Sequence, residues 1–231
     1  MEKREIEITR NVIERALMAV KDYINTHRKE FVIGCISVLV LAVLITGGII
    51  VHNAHENASL VKFEQVLDAY NSGAAGDPQA RIANCKKTAG DLEGIVQKSW
   101  WGYVHENGYF VIGGLYYSER LYAEAKDYYL KFAEKSPRSF FAPMAMQQAA
   151  RSYESLGDFA GALQTYVRLE KKYGKSVIAD QIYYDLGRIY QRQGDIFKAR
   201  ENYNRVVTAF PQSRFARMAR ERLFLLGLHN G

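Results

Sequence analysis

Residues 186–216 read LGRIYQRQGDIFKARENYNRVVTAFPQSRFA, and residues 149–179 read AARSYESLGDFAGALQTYVRLEKKYGKSVIA. Moved by 37 positions, the second stretch falls on the first without a gap, and 37 further back lies GGLYYSERLYAEAKDYYLKFAEKSPRSFFA, from Gly113. The equivalences run through the whole unit: Gly113, Ala150, Gly187; Tyr116, Tyr153, Tyr190; Ala125, Ala162, Ala199; Tyr129, Tyr166, Tyr203. They continue through Pro137, Gly174, Pro211, then Ser139, Ser176, Ser213, and end at Ala142, Ala179, Ala216. So many coincidences at one offset mark an internal repeat.

The repeated unit has the chemistry of a helical hairpin. Small residues at 113, 150 and 187 let a first helix approach its partner, and the alanines at 125, 162 and 199 do so from the second. The tyrosines three and four positions beyond fill the gap between hairpins with large aromatic bodies. Gly157-Asp158 and Gly194-Asp195 supply the turn, glycine by tolerating positive φ and aspartate by capping the next helix. The first unit has Arg120-Leu121 at that place, a less favourable turn. Pro137 and Pro211 end the second helix, because proline cannot continue the hydrogen-bond ladder.

The small–Tyr, turn, Ala–Tyr and Pro pattern resembles the tetratricopeptide repeat over about residues 106–215. The usual unit has 34 residues, and the three extra sit in a P-x-S-x-x-A linker, a variant similar to that of periplasmic repeat proteins of bacterial envelopes. The resemblance implies an all-α fold, a right-handed solenoid of helix pairs with a concave, ligand-binding face. Such repeats need capping; ARMARERLFLLGL, 216–228, reads as a C-terminal cap helix within a 216–231 segment. Residues 52–105 read as a juxtamembrane stretch and a degenerate first hairpin, SLVKFEQVLDAY followed by PQARIANCKKTAGDLEGIVQKSW.

One short string competes with this reading. Gly174-Lys175-Ser176 repeats the letters that close a phosphate-binding loop. That loop needs a glycine five positions before Gly174, between a strand and a helix, and the residue there is Leu169 in a helical stretch. In the repeat register Gly174 stands where prolines end the other helices, so it is read as a left-handed helix cap, with Ser176 placed to cap the next helix.

Residues 31–51, FVIGCISVLVLAVLITGGIIV, carry no charge. As a helix they rise about 31 Å, the thickness of a bilayer's hydrocarbon core. The run is too long for a cleaved signal peptide and lacks a small-x-small cleavage site after it. Lipidation at Cys35 is disfavoured because the apolar run follows the cysteine. Arg15, Lys21, Arg28 and Lys29 precede the run while Lys62 alone follows within 20 residues. The positive-inside rule then leaves the N-terminus in the cytoplasm of a bacterial inner membrane and the repeats in the periplasm. In residues 1–30, Ile13, Leu17, Val20 and Ile24 share one helical face, an amphipathic segment for the membrane surface or a partner.

Composition narrows the function. A net charge of +6 in 231 residues, spread along the chain, lacks the clustered basic stripe of a nucleic-acid binder. The tyrosines fall on packing positions rather than forming a base-stacking platform. His27, His52, His55, His105 and His229 do not cluster, and His52, His55 and Glu56 together fall short of a metal's ligand set. No catalytic, cofactor or metal residues are assigned. Cys35 and Cys85 lie in dissimilar surroundings and are not expected to pair. Asn57-Ala58-Ser59 is a glycosylation sequon, meaningful only in a eukaryotic secretory protein. Trp100-Trp101 is read as a buried hinge in preference to a binding patch, given the area two indoles would otherwise expose.

Carried onto this register, the resemblance places the concave face at Asn107, Phe110 and Tyr117, then Gln147, Arg151 and Glu154, then Gln181, Tyr184, Arg188 and Gln191. Amides, guanidinium groups and aromatics suit a peptide. The Lys/Asn/Arg carboxylate clamp of chaperone-binding tetratricopeptide domains is not reproduced, so a C-terminal carboxylate is not the expected ligand. A short N-terminal stretch, one span and periplasmic repeats together resemble the YfgM-like ancillary subunit of the Sec translocon. That implies a non-enzymatic interaction protein whose partners are translocon subunits or periplasmic chaperones. The alternative is a scaffold in outer-membrane assembly or cell division. Composition leaves the oligomeric state open.

Overall fold

The computed structural model describes residues 2–73 and 77–228; positions 1, 74–76 and 229–231, including His229, lie outside them. The described chain is helical throughout: α1 (Glu2–Thr26), α2 (Arg28–Ser72), α3 (Pro78–Lys98), α4 (Gly102–Ser118), α5 (Tyr122–Lys135), α6 (Ala142–Ser155), α7 (Phe159–Tyr173), α8 (Ala179–Arg192), α9 (Ile196–Ala209) and α10 (Arg214–Leu228). It divides into two compact units between His55 and Glu56.

The first unit holds α1 and the apolar part of α2. That part is long and apolar enough, by length and composition, to cross a membrane, and its side chains are open rather than packed in a core. Its few polar groups are satisfied within the helix. Ser37 Oγ donates to the Ile33 carbonyl at 2.9 Å and Thr46 Oγ1 to that of Ala42 at 2.8 Å, the back-bonding open to a hydroxyl inside a helix. In α1, Leu17 and Val20 are exposed; the side chain of Ile13 lies outside the described set.

The second unit is a stack of hairpins: the C-terminal part of α2 with α3, then α4/α5, α6/α7 and α8/α9, closed by α10. The three turns inside the repeats superimpose chemically. Leu121, Asp158 and Asp195 each donate their backbone N–H to the carbonyl of the tyrosine five before, Tyr116, Tyr153 and Tyr190, at 2.9–3.0 Å. This geometry needs a left-handed residue before the donor. Gly157 and Gly194 supply it at φ 80° and 82°, and in the first repeat Arg120 is forced to φ 60°. Asp158 and Asp195 cap their helices by accepting from Gly161 N and Lys198 N, while Leu121 makes no side-chain cap.

The expected small-residue contacts are present, but chiefly inside each hairpin. A Cβ at Gly113 would meet the Tyr129 ring at 2.9 Å, and one at Gly187 the Tyr203 ring at 2.6 Å. The tyrosines at 129, 166 and 203 therefore rest against the first helix of their own hairpin, and all three are buried.

The joint at 173–180 departs from expectation. Gly174 has φ −63°, an ordinary right-handed value, so it is not a left-handed cap. Glycine is required for space, since a Cβ would lie 2.6 Å from the Glu170 carbonyl oxygen and 2.9 Å from the Tyr183 hydroxyl. That hydroxyl donates to the Gly174 carbonyl at 3.3 Å. The repeat serines act one step earlier than a helix cap: Ser139 Oγ and Ser213 Oγ accept from the N–H two residues on, at Phe141 and Phe215. Ser176 Oγ is buried without such a partner. Trp100 also differs from the expected buried hinge, with 72% of its surface exposed.

Candidate functional site

The first helices of the repeats line up so that α4, α6 and α8, with α10, share one open concavity of about 450 Å³. Tyr117, Arg151, Glu154, Tyr184 and Arg188, five of the positions expected on the concave face, line it together with Ser155, Asp185, Phe215 and Met218. One wall is aromatic, with Tyr184 against Phe215 at 5.5 Å between ring centroids.

The floor is ionic. Asp185, almost wholly buried, accepts from Gln147 Nε2 at 2.6 Å and faces Arg151 at 3.4 Å and Arg188 at 3.6 Å. Glu154 takes both Nη atoms of Arg188, at 2.5 and 2.6 Å, and the Tyr166 hydroxyl at 2.7 Å. Two charges of each sign thus meet where the second repeat joins the third. Burial pushes the Asp185 carboxyl up, an effect that Arg151, Arg188 and Gln147 only partly offset. Burial acts the same way on Glu154, but there the hydrogen bonds from Arg188 and Tyr166 win and the carboxyl is held below its usual range. Arg188 is held firmly charged, chiefly by its bond to Glu154 and against its own burial. Arg151 is gripped least. Its contacts, to Asp185 and to Gln148 at 3.5 Å, are long, and 35% of its side chain is open.

The other expected positions fall elsewhere. Asn107 is buried at the edge of a second depression of about 610 Å³ beside Lys135, Arg138, Phe140 and Phe141. Phe110 stacks on Phe141 at 5.4 Å. Gln147 is buried under Asp185. Gln181 is half-buried, and Gln191 accepts the Tyr203 hydroxyl at 2.9 Å. The last contact repeats that of Tyr166 with Glu154 at the 37-residue spacing. The inner-face position therefore serves the hairpin's own tyrosine before it serves any ligand.

Asp185 escaped the sequence reading because its register equivalents are Gln148 and Val111, neither charged. A lone acid at a packing position, one residue after Tyr184 and three before Arg188, was the available signal.

Comparison with known proteins agrees with this architecture. The tetratricopeptide repeat family model matches residues 144–176 and 181–213, the α6/α7 and α8/α9 hairpins. No curated protein matches the sequence. Among solved structures, a tetratricopeptide repeat protein from Parabacteroides merdae is 14% identical over 69% of this chain, with a TM-score of 0.51; the match spans 57% of that structure's length. BtubC from P. vanneervenii is 13% identical over 71% of this chain and 75% of its own, at 0.48. MamA from Desulfovibrio magneticus is 11% identical over 71% and 97%, at 0.45. The last two are too distant to carry any argument. The chain is an all-helical solenoid that carries tetratricopeptide repeats at residues 144–176 and 181–213.

Proposed function

We propose that this protein is a membrane-anchored interaction module whose concave face receives a segment of a partner protein. Repeats of this kind form protein–protein interaction modules, and the membrane, the orientation and the partner are the further steps. Residues 31–51 span a bacterial inner membrane, residues 1–30 stay in the cytoplasm, and the repeats stand in the periplasm. The partners are Sec translocon subunits or periplasmic chaperones.

The observation that carries the reading is the convergence of Tyr117, Arg151, Glu154, Tyr184 and Arg188 on one concavity. Arg188 and Glu154 satisfy each other, so they build the floor. Arg151, with long contacts and an open guanidinium, is the donor left for a ligand's carbonyl or carboxylate. The Tyr184–Phe215 wall and Met218 offer an apolar seat for one side chain beside it.

A change at the rim tests this without touching the floor. Met218→Asp, at a half-open position, abolishes recovery of the partner from gently solubilised membranes while the melting temperature stays unchanged. Full recovery with Met218→Asp contradicts the assignment of the face. Protease added outside spheroplasts should digest residues 52–231; complete protection would reverse the topology.

A further inference from the structure

The formal charge of +6 is spread along the sequence, but the fold gathers part of it at the joints between hairpins. The end of α5 and its joint read Lys135-Ser-Pro-Arg138-Ser-Phe140, and the end of α7 and its joint read Lys172-Tyr-Gly-Lys175-Ser-Val177. Both place two cations and one apolar side chain at the same register positions. All six side chains are exposed, Phe140 at 60% and Val177 at 70%. The Tyr173 hydroxyl donates to the Pro137 carbonyl at 2.8 Å, which ties the two joints together. Lys172 lies over the ring of that same tyrosine at 5.1 Å.

Packing does not ask for these residues. The third joint has Ala209, Gln212 and Arg214 at the same positions, and it makes the same turn. Ser139, Ser176 and Ser213 each donate their N–H to the carbonyl three residues before, at 2.8–3.0 Å, and Ala142, Ala179 and Ala216 donate to those serines at 3.1 Å. Lys135 and Lys172 gain from the partial negative charge at the ends of their own helices. That effect fades beyond the last turn, so it accounts for neither Arg138 nor Lys175, nor for Phe140 and Val177. None of the four cations forms an ion pair among the described residues. Lys135 meets the Tyr109 ring at 5.1 Å.

Four open cations beside two open apolar side chains call for a ligand with both properties. A bare anion would have no use for Phe140 and Val177, and an apolar partner none for four charges. At the first joint the depression of about 610 Å³ adds Asn107 and Ser136, whose polar groups suit a peptide backbone. Acids nearby are outnumbered. Glu106 lines the same depression, Glu134 and Lys171 share one register position and offset each other, and Glu170 is held by Arg205 at 3.4 Å.

We infer that residues 135–140 and 172–177 form an edge that binds an acidic segment of a partner protein, long enough to reach both joints, with apolar side chains set among its carboxylates. The edge shares no residue with the lining of the concavity at Arg151 and Glu154, and it needs no membrane. Its role is capture, because complementary charge raises the rate of encounter.

Binding is measured by anisotropy on the full chain in a nonionic detergent, with a rhodamine-labelled Gly/Ser peptide that carries Glu-Phe-Glu-Glu-Val-Glu. The third joint supplies substitutions the fold accepts. Lys135→Ala, Arg138→Gln, Lys172→Ala and Lys175→Gln together weaken the peptide about tenfold, the scale of four exposed ion pairs. Phe140→Ser with Val177→Ser weakens it about fivefold through lost apolar contact. Phe197→Ser, at a position 81% exposed on α9, leaves it unchanged. No saturable binding up to about 1 mM peptide, or binding that survives the four substitutions, overturns the edge. Equal binding of a peptide with Ser in place of its Phe and Val, or displacement by a single-stranded oligonucleotide as effective as unlabelled peptide, marks a general anion site and overturns the protein partner. Loss with Met218→Asp and not with the four substitutions puts the peptide in the concavity, which overturns the edge and leaves the concave reading standing.

Discussion

Arg188 of the third repeat holds Glu154 of the second through both Nη atoms, and Glu154 in turn accepts the hydroxyl of Tyr166 from its own hairpin. This fork joins two repeats that also meet through Asp185, which faces Arg151 and Gln147 of the second repeat. Arg188→Ala leaves Glu154 and Asp185 facing each other with Arg151 as the remaining cation. It should cost about 3 kcal/mol, the scale of breaking a mostly buried pair. The double variant Glu154→Gln with Arg188→Gln should cost less than the sum of the single changes, by at least about 1 kcal/mol. Denaturant unfolding of wild type, Arg188→Ala, the two single glutamine variants and their double checks both figures; additive losses in the glutamine cycle would mean the fork contributes nothing.

The turn of the first repeat stores strain that its sisters avoid. Arg120 takes φ 60° where Gly157 and Gly194 take φ 80° and 82°. A left-handed non-glycine residue costs roughly 1–2 kcal/mol. Arg120→Gly is therefore expected to raise stability by about 1 kcal/mol, and Gly157→Ala and Gly194→Ala to lower it by a similar amount. Chemical denaturation midpoints report all three, and a destabilised Arg120→Gly would refute the strain argument.

The glycines facing the buried tyrosines should rank by the space they leave. Gly187→Ala drives a methyl to 2.6 Å from the Tyr203 ring, Gly113→Ala to 2.9 Å from that of Tyr129. Overpacking of this kind costs about 1–3 kcal/mol, with Gly187→Ala the more damaging. The second repeat already carries Ala150 at this position, so a methyl can be accommodated where the hairpin is spaced for it. Equal melting temperatures for the two variants and wild type would show that the contact is soft.

Stability should fall steeply at alkaline pH. Burial first, and nearby carboxylates where present, raise the phenols of Tyr70, Tyr116, Tyr128, Tyr166, Tyr183 and Tyr203, while burial pushes Tyr129 up to about 12 and the Cys85 thiol up to about 11. Each raised group favours the neutral, folded form. Its contribution is complete below the group's ordinary value, near 10 for a phenol and about 8.5 for a thiol, and is lost as pH rises through the folded-state value. Melting temperature should drop between about pH 10 and 12, with tyrosinate absorbance appearing together with loss of helix. Ionisation that runs ahead of unfolding would contradict the burial of these rings.

The hairpins were legible because their cause is local and repeated. A glycine that must turn, an aspartate that must cap and an alanine that must sit under a ring recur at one offset, so each copy checks the others. Gly174 was misread as left-handed because glycine's two uses, positive φ and absence of bulk, look alike in sequence. Only the Tyr183 hydroxyl beside it separates them. Trp100 was expected inside on composition, where a paired indole reads as core, and its exposure depends on how a loop is pinned to Glu56, 44 positions earlier. On the concave face the register put Tyr117, Arg151, Glu154, Tyr184 and Arg188 on helices that line one concavity, while Asn107, Phe110, Gln147, Gln181 and Gln191 fall outside its lining. It could not show that Gln147, Glu154 and Gln191 spend their polar groups on neighbouring helices, since those partners lie 12 to 38 residues away.

The most direct test of the interaction module is photo-crosslinking in intact membranes, with a photoreactive side chain placed at Arg151, at Met218, or at Phe197 on the second helix of the third repeat. The account predicts a discrete protein adduct from Arg151 and Met218, containing translocon subunits or periplasmic chaperones, and none from Phe197. Adducts from Phe197 with none from Arg151 or Met218 would contradict it.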